Sequence, residues 1–145
     1  NNHKEVGDKI VVIGGGLVGT ETALYLAESG KSVILVEMQD AIMKDVAVTD
    51  QIAYGERIAQ TQMEILVGHK LVEIKENSIV VEHAGGLKEI EADTVIMAVG
   101  FRPQPQLEEK LKSVDGLEVY SIGDCIKPAK IFDAFHAGYK LGLRI

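Results

Sequence analysis

A short apolar run that leads into consecutive glycines constrains this chain more than any other feature. Residues 10–13 (Ile-Val-Val-Ile) are β-branched, as a buried strand of a parallel sheet requires, and glycines follow at 14–16 and at 19. Apolar residues at helical spacing then extend over 17–29, and residues 32–36 (Ser-Val-Ile-Leu-Val) return to a strand pattern. This order predicts a strand–helix–strand unit with a glycine-rich turn before its helix.

The glycine spacing has a physical reason at each position. Gly14 can adopt the backbone angles of a tight turn, Gly16 has no side chain to keep a pyrophosphate from the main chain, and Gly19 lets the helix pack closely on the strand. The free N–H groups at the helix start, with the positive end of its dipole, then face the phosphates. We therefore predict that a dinucleotide binds across Gly14, Gly15, Gly16, Leu17, Val18 and Gly19. In the alternative interpretation, these glycines serve packing alone.

An acidic residue ends the second predicted strand and bears on the choice of cofactor. Glu37 lies near the offset of about 20 residues at which this fold places a ribose-binding acid. A carboxylate there accepts hydrogen bonds from the adenosine ribose and repels a 2′-phosphate, and no basic residue follows before Lys44. Glu37 therefore predicts NAD(H) rather than NADP(H), and we include Met38 beside it in the predicted cofactor site. The alternative is an exposed glutamate at a strand end.

Composition excludes several classes of function. The net charge of −7 argues against binding to nucleic acid, and a single cysteine excludes a disulfide framework or an iron–sulfur cluster held by this chain alone. No apolar run approaches the roughly 20 residues of a membrane span, and the polar start lacks a signal-peptide core. We therefore expect no membrane partner and a cytoplasmic location. The start without methionine, almost at the first strand, fits either trimming or a domain cut from a longer polypeptide.

The centre of the chain departs from the simplest dinucleotide-binding pattern. Beyond a helix over 48–60, it predicts a parallel strand over 63–67, short strands over 70–75, 78–82 and 87–91, and a buried strand over 93–100. The three short strands form a β-meander in place of a helical crossover. This predicts a three-layer, Rossmann-like α/β fold of the FAD/NAD(P)-binding type, with a parallel sheet, helices and a small antiparallel sheet.

A glycine ends the strand predicted over 93–100. Ligands of parallel sheets bind at the carboxyl edge, and Gly100 there lets a ligand lie against the main chain. We therefore add Val99, Gly100 and Phe101 to the predicted cofactor site. A plain turn at the strand end is the alternative.

The last 45 residues exceed what an NAD-binding unit needs. They predict a short helix over 106–113, a strand over 117–122 and an amphipathic helix over 131–145. Cys125 has no partner cysteine, so we interpret it as a small buried side chain rather than a redox thiol. We find no nucleophile with a base and no metal-ligand spacing, and we predict neither catalytic residues nor a metal site.

Taken together, these motifs resemble the two-dinucleotide flavoprotein reductases. The matching pattern is Gly14-x-Gly16-x-x-Gly19-x-Glu21, then Glu37, then Ala98-Val99-Gly100-Phe101-Arg102-Pro103, and then Ile122-Gly123-Asp124. More narrowly, Gly123-Asp124-Cys125 and the helix that begins at Ile131 resemble the C-terminal part of the 2-enoate and 2,4-dienoyl-CoA reductases. These are old-yellow-enzyme-like NADH:flavin oxidoreductases.

The resemblance implies an NAD(H)-binding domain over 6–102 and the C-terminal segment of a split FAD-binding domain over 103–145. It implies that Gly123 and Asp124 contact FAD and that hydride passes from NADH to FAD in the intact enzyme. Glu21, in the family position after the glycines, either helps to position the nicotinamide or is a solvated helix residue. The partners of this chain would then be the remaining FAD and FMN domains of a longer polypeptide, and the isolated chain should show little turnover. The alternative function is a non-catalytic, NAD-sensing regulatory module.

Overall fold

A computed structural model describes residues 5–145 of the chain. The chain divides into two compact units, and the boundary in the sequence lies between Gly100 and Phe101. The first unit contains every strand of the described residues, and the second contains short helical segments. Among residues 5–145, no helix is long and apolar enough to cross a membrane.

The first unit alternates strands and helices before it turns to an antiparallel sheet. In chain order its elements are β1 (Lys9–Ile13), α1 (Leu17–Glu28), β2 (Ser32–Val36), α2 (Val48–Ile58), β3 (Glu64–Leu66), β4 (Lys70–Ile74), β5 (Ser78–His83), β6 (Gly86–Glu91) and β7 (Thr94–Met97). The parallel sheet has the strand order β3-β2-β1-β7, and the antiparallel sheet has the order β4-β5-β6. The predicted parallel sheet, helices and meander are confirmed, although the strand predicted over 93–100 is shorter.

Strand β1 explains the layering, because its side chains alternate between two cores. Val11 packs with Ile79 of the antiparallel sheet on one face of the parallel sheet. Val12 packs with Ala23 of α1 on the other face. All four side chains are buried, and a strand buried on both faces needs the continuous β-branched run that this one has. The parallel sheet is therefore the middle of three layers, as the sequence predicts.

Helix α1 lies close to the end of β1 because Gly19 presents no side chain. A Cβ at Gly19 would overlap the carbonyl oxygen of Gly14 and approach Ala98 Cβ to 3.1 Å. After the helix, Gly30 adopts a φ of 86°, and its N–H donates to Ala27 O at 3.0 Å. A left-handed residue of this kind is a common helix end. The packing role predicted for Gly19 is confirmed.

The second unit consists of α3 (Gln106–Lys112), a 3₁₀ turn (Gly123–Cys125) and α4 (Ile131–Gly142). The Asp133 carboxylate accepts a hydrogen bond from Lys130 N at 3.1 Å and so caps the start of α4. The predicted apolar stripe of α4 is exposed along its length, and it comprises Ile131, Phe132, Phe135, Tyr139 and Leu143.

Two expectations for the second unit are wrong. Residues 117–122 form no strand, since this unit has no other strand among its described residues with which their backbone groups could pair. Cys125 is exposed rather than buried. It lies in the short 3₁₀ turn, where its thiol donates to Ile122 O at 2.9 Å.

We expect Gly19→Ala to lower the free energy of unfolding by about 1–3 kcal/mol, because the new methyl group meets a backbone carbonyl that cannot rotate away. Gly55→Ala in α2 is the matched control. No described atom lies within 4 Å of its Cβ position, so alanine should raise the stability by up to about 1 kcal/mol. Urea denaturation followed by circular dichroism measures both changes. Equal stabilities of the two variants would contradict the close approach of α1.

Candidate dinucleotide-binding site

The glycine-rich turn lies at the carboxyl ends of β1 and β7, where the strand order reverses. From β1 the sheet continues to β2 on one side, and β7 pairs on the other side. Gly14 N donates to Val36 O at 2.8 Å, and Ala98 N donates to Ile13 O at 2.7 Å. Gly14 has a φ of 107°, and a Cβ there would overlap Ala98 O. Open α/β sheets bind ligands at such a switch point.

Helix α1 begins with exposed backbone and without a capping side chain. Its N-cap is Gly16 in an extended conformation, and no described side chain caps it or places an acid in the first turn. Leu17 and Val18 are exposed, and no described atom lies within 4 Å of a Cβ position at Gly16. The first-turn N–H groups have no carbonyl partner within the helix. An uncapped helix start with open space before it fits an anion such as a pyrophosphate.

The Glu37 carboxylate is buried and bonded to the glycine-rich turn. Only 7% of Glu37 is exposed. Its Oε2 accepts a hydrogen bond from Gly15 N at 2.6 Å, and its Oε1 accepts one from Gln39 N at 2.7 Å. These charge-assisted bonds compensate the cost of burying the charge. A carboxylate has about four acceptor positions, so Glu37 can hold the turn and still accept bonds from a ribose.

Of residues 38–47, only Met38 belongs to the site predicted from the sequence, yet this loop packs on the glycine-rich turn. Met43 N donates to Gly15 O at 2.7 Å, and Ile42 Cγ2 lies 2.7 Å from the position that a Cβ would take at Gly15. Met38, at the start of the loop, is exposed. The adjacent apolar pair Ile42 and Met43, in a stretch without helix or strand periodicity, is the local signal for this contact.

Glu21 is bonded to the neighbouring helix. Its carboxylate accepts a hydrogen bond from the Tyr54 hydroxyl of α2, and this bond raises the pKa of Tyr54 above its ordinary value. Further along the same two helices, the Arg57 guanidinium donates twice to the Glu28 carboxylate, at 3.0 and 2.8 Å. The nicotinamide contact implied for Glu21 stays a prediction. Its hydrogen bond with the Tyr54 hydroxyl was not predicted from the sequence.

The last predicted site residues of the first unit follow β7. Val99 is exposed, and Gly100 has a φ of 84° with no described atom near its Cβ position. Both follow Ala98, which touches the glycine-rich turn. The backbone at this edge is therefore accessible beside Gly14.

The second unit holds the residues that the resemblance assigns to FAD. Gly123 has a φ of 67° in the 3₁₀ turn. Asp124 Oδ1 accepts a hydrogen bond from Ala129 N at 3.2 Å, which closes the loop that follows the turn. Phe101, at the start of this unit, is exposed. FAD contacts at Gly123 and Asp124 stay predictions, and so does the cofactor contact predicted at Phe101.

No cluster of side chains suited to a metal ion is found among residues 5–145. No group of three or more His, Cys, Asp or Glu side chains could hold an ion there. The ring of His136 packs on Phe132 with 4.2 Å between centroids, and the Asp133 carboxylate caps α4. In this structure Asp133 and His136 thus serve the capping and packing of α4.

Comparison with known proteins identifies the family. Residues 1–140 match the family described as pyridine nucleotide-disulphide oxidoreductase. The bilirubin reductase of Mediterraneibacter gnavus is 40% identical over 144 residues, which cover 95% of this chain and 22% of that protein. The cinnamate reductase of Clostridium sporogenes is 29% identical over 145 residues, which cover 98% of this chain and 22% of that protein.

A solved structure agrees in fold. A complex of 2-naphthoyl-CoA reductase with 2-naphthoyl-CoA superimposes with a TM-score of 0.82 at 35% identity, over 98% of this chain and 22% of that chain. The chain thus spans about a fifth of the length of these relatives. The resemblance to enoate reductase-like flavoproteins is confirmed. The chain belongs to the pyridine nucleotide-disulphide oxidoreductase family, an oxidoreductase family whose members use FAD and NAD(P)H.

Proposed function

We propose that this chain is the NADH-binding part of a longer flavin-dependent oxidoreductase. The observation that carries the proposal is the uncapped start of α1 at Gly16, with open space before it and the Glu37 carboxylate bonded to the same turn. When bound, NADH supplies a hydride and FAD accepts it. The protein supplies binding, orientation and the exclusion of NADPH.

Each end of the site has a separate task in this proposal. The first-turn N–H groups of α1, which belong to Leu17, Val18 and Gly19, hold the pyrophosphate. Glu37 accepts hydrogen bonds from the adenosine ribose through the acceptor positions that Gly15 and Gln39 leave free.

The remaining predicted residues lie toward the reacting end of the cofactors. Glu21, bonded to Tyr54, helps to position the nicotinamide. Val99 and Gly100 offer accessible backbone beside the turn.

The second unit and the rest of the polypeptide complete the enzyme in this proposal. Residues 6–102 form the NAD(H)-binding domain, and residues 103–145 form the end of a split FAD-binding domain. In this assignment Gly123 and Asp124 contribute to the FAD side, and Phe101 stays a predicted cofactor contact at the end of the NAD(H)-binding domain. The relatives are several times longer than this chain, which supports remaining FAD and FMN domains in the same polypeptide as its partners.

The Gly16→Ala substitution should weaken NADH binding with little change in the free energy of unfolding. The Gly16 φ of −67° suits any residue, and its Cβ position meets no described atom, so the free energy of unfolding should change by no more than about 1 kcal/mol. The methyl group occupies the space assigned to the pyrophosphate, and we expect the affinity for NADH to fall at least about tenfold. Fluorescence titration with NADH tests this, with Gly55→Ala as the control. Unchanged affinity would place the dinucleotide elsewhere.

NADH should bind at least about tenfold more tightly than NADPH, because the Glu37 carboxylate repels a 2′-phosphate. Glu37→Gln keeps the shape of the side chain and removes its charge. It should therefore weaken NADH binding and reduce the ratio between the affinities for NADH and NADPH. Glu76→Gln, in the exposed turn between β4 and β5, removes the same charge elsewhere and should leave the ratio unchanged. Parallel titrations with both nucleotides measure the ratio of their dissociation constants. Tighter binding of NADPH by the unaltered chain would refute the assignment.

The purified chain should bind NADH but retain no stoichiometric FAD, because it supplies only one part of the FAD-binding domain in this proposal. Absorbance near the flavin band after gel filtration in the presence of added FAD measures retention. NADH oxidation with a soluble electron acceptor measures turnover, which should be close to the rate without protein. One FAD retained per chain would contradict the split domain.

A further inference from the structure

We propose that Gln51 is a positioning residue for the dinucleotide, acting through residues 38–47, which we call the strap loop. Its side chain holds the strap loop on the glycine-rich turn and so fixes the direction of the Gly16 N–H group. This inference rests on the proposed binding of NADH at that turn. It assigns a task to a residue that makes no contact with the turn itself.

The strap loop fixes the peptide group that leads into the first turn of α1, to which the proposed function assigns the pyrophosphate. Met43 N donates to Gly15 O at 2.7 Å, and the Thr20 hydroxyl donates to the same oxygen at 3.3 Å. The peptide bond between Gly15 and Gly16 is planar, so its N–H points away from its C=O. Holding Gly15 O therefore aims Gly16 N–H to the opposite side.

This restraint is needed because the turn is built from glycines. Gly14, Gly15 and Gly16 have no side chains that would limit the rotation of their peptide groups. Glu37 fixes the N–H of Gly15 but not the peptide group that follows. The hydrogen bond from Met43 supplies the second restraint.

The conformation of Met43 requires support from elsewhere. Met43 has a φ of 54°, a left-handed conformation that a residue with a side chain rarely adopts, and it is only 3% exposed. Such a residue persists where the surrounding structure holds it in place. The strap loop would otherwise relax toward an ordinary conformation and withdraw the Met43 N–H group.

Gln51 supplies that support from the first turn of α2. Its Nε2 donates to Met43 O at 3.0 Å and to Val46 O at 2.9 Å. Val46 N also donates to Met43 O, at 3.0 Å, and closes the turn 43–46. The two hydrogen bonds from Gln51 connect both ends of this turn to α2. The Gln51 amide, with its two donors, therefore holds Met43 in its left-handed conformation, and Met43 N in turn holds Gly15 O.

Three variants separate hydrogen bonding from packing. Gln51→Glu and Gln51→Leu keep most of the volume but lose the two donors, and Gln51→Lys keeps donors for the two carbonyls. We expect the first two to weaken NADH binding at pH 7.5 by about tenfold, and Gln51→Lys to stay within about threefold of the unaltered chain. Gln60→Glu and Gln60→Leu, in the exposed turn that follows α2, are the matched controls and should bind normally. Circular dichroism establishes that each protein is folded.

A second measurement uses pH. Protonating the carboxyl introduced by Gln51→Glu restores one donor, so the affinity of this variant should approach that of the unaltered chain when the pH falls from 7.5 to 5. ADP-ribose, which is stable in acid, is titrated calorimetrically into both proteins at both pH values. Glu37, Asp40, Lys44 and Asp45 are present in both, so the ratio of the two dissociation constants reports on the introduced carboxyl.

The outcomes distinguish this inference from the function on which it rests. If the unaltered chain binds neither NADH nor ADP-ribose, the proposed function fails and this inference fails with it. If the unaltered chain binds both, and Gln51→Glu and Gln51→Leu bind equally well, only the role of Gln51 is overturned. Equal loss in Gln51→Leu and Gln51→Lys would also overturn it, because packing and not hydrogen bonding would then be the cause.

Discussion

The hydrogen bond from Gly15 N to Glu37 Oε2 is the interaction on which the rest of the site depends. It is 2.6 Å long and buried, and it joins the turn after β1 to the end of β2. The main chain of Glu37 extends the connection, because its carbonyl accepts a hydrogen bond from His69 N at 2.9 Å. A carboxylate buried this deeply is costly unless its oxygens are bonded. The turn must therefore close on Glu37, and it is held in place although it consists of glycines.

The two cores of the first unit place this interaction at the edge of the sheet. The antiparallel sheet covers one face of β1 and β2, and α1 covers the other, so the backbone of the turn is reachable from the carboxyl ends of the strands. Gly19 makes the arrangement possible, since any side chain there would collide with Gly14 O. Close packing of α1 and an open helix start at Gly16 are thus two consequences of one glycine spacing.

Periodicity predicted the first unit well because its strands bury a regular set of side chains. The strand predicted over 117–122 failed because a pattern of apolar residues reports a tendency to be buried and not the presence of a neighbouring strand. The expectation for Cys125 failed similarly, since the average burial of cysteine does not decide its place in one exposed turn. Of the candidate site, the glycines and Glu37 could be predicted, whereas the strap loop, with Met43 in a left-handed conformation, could not.

By itself, the sequence determined the glycine turn, the helix that follows it and the place of Glu37 at the end of a strand. Each of these depends on conformational preferences that a few adjacent residues encode. Only the tertiary structure decided that the Glu37 carboxylate would bond Gly15 and that Tyr54 would bond Glu21. These partners lie 22 and 33 residues apart in the sequence. Contacts over such separations depend on how the sheet and helices pack, and local pattern carries no information about that packing.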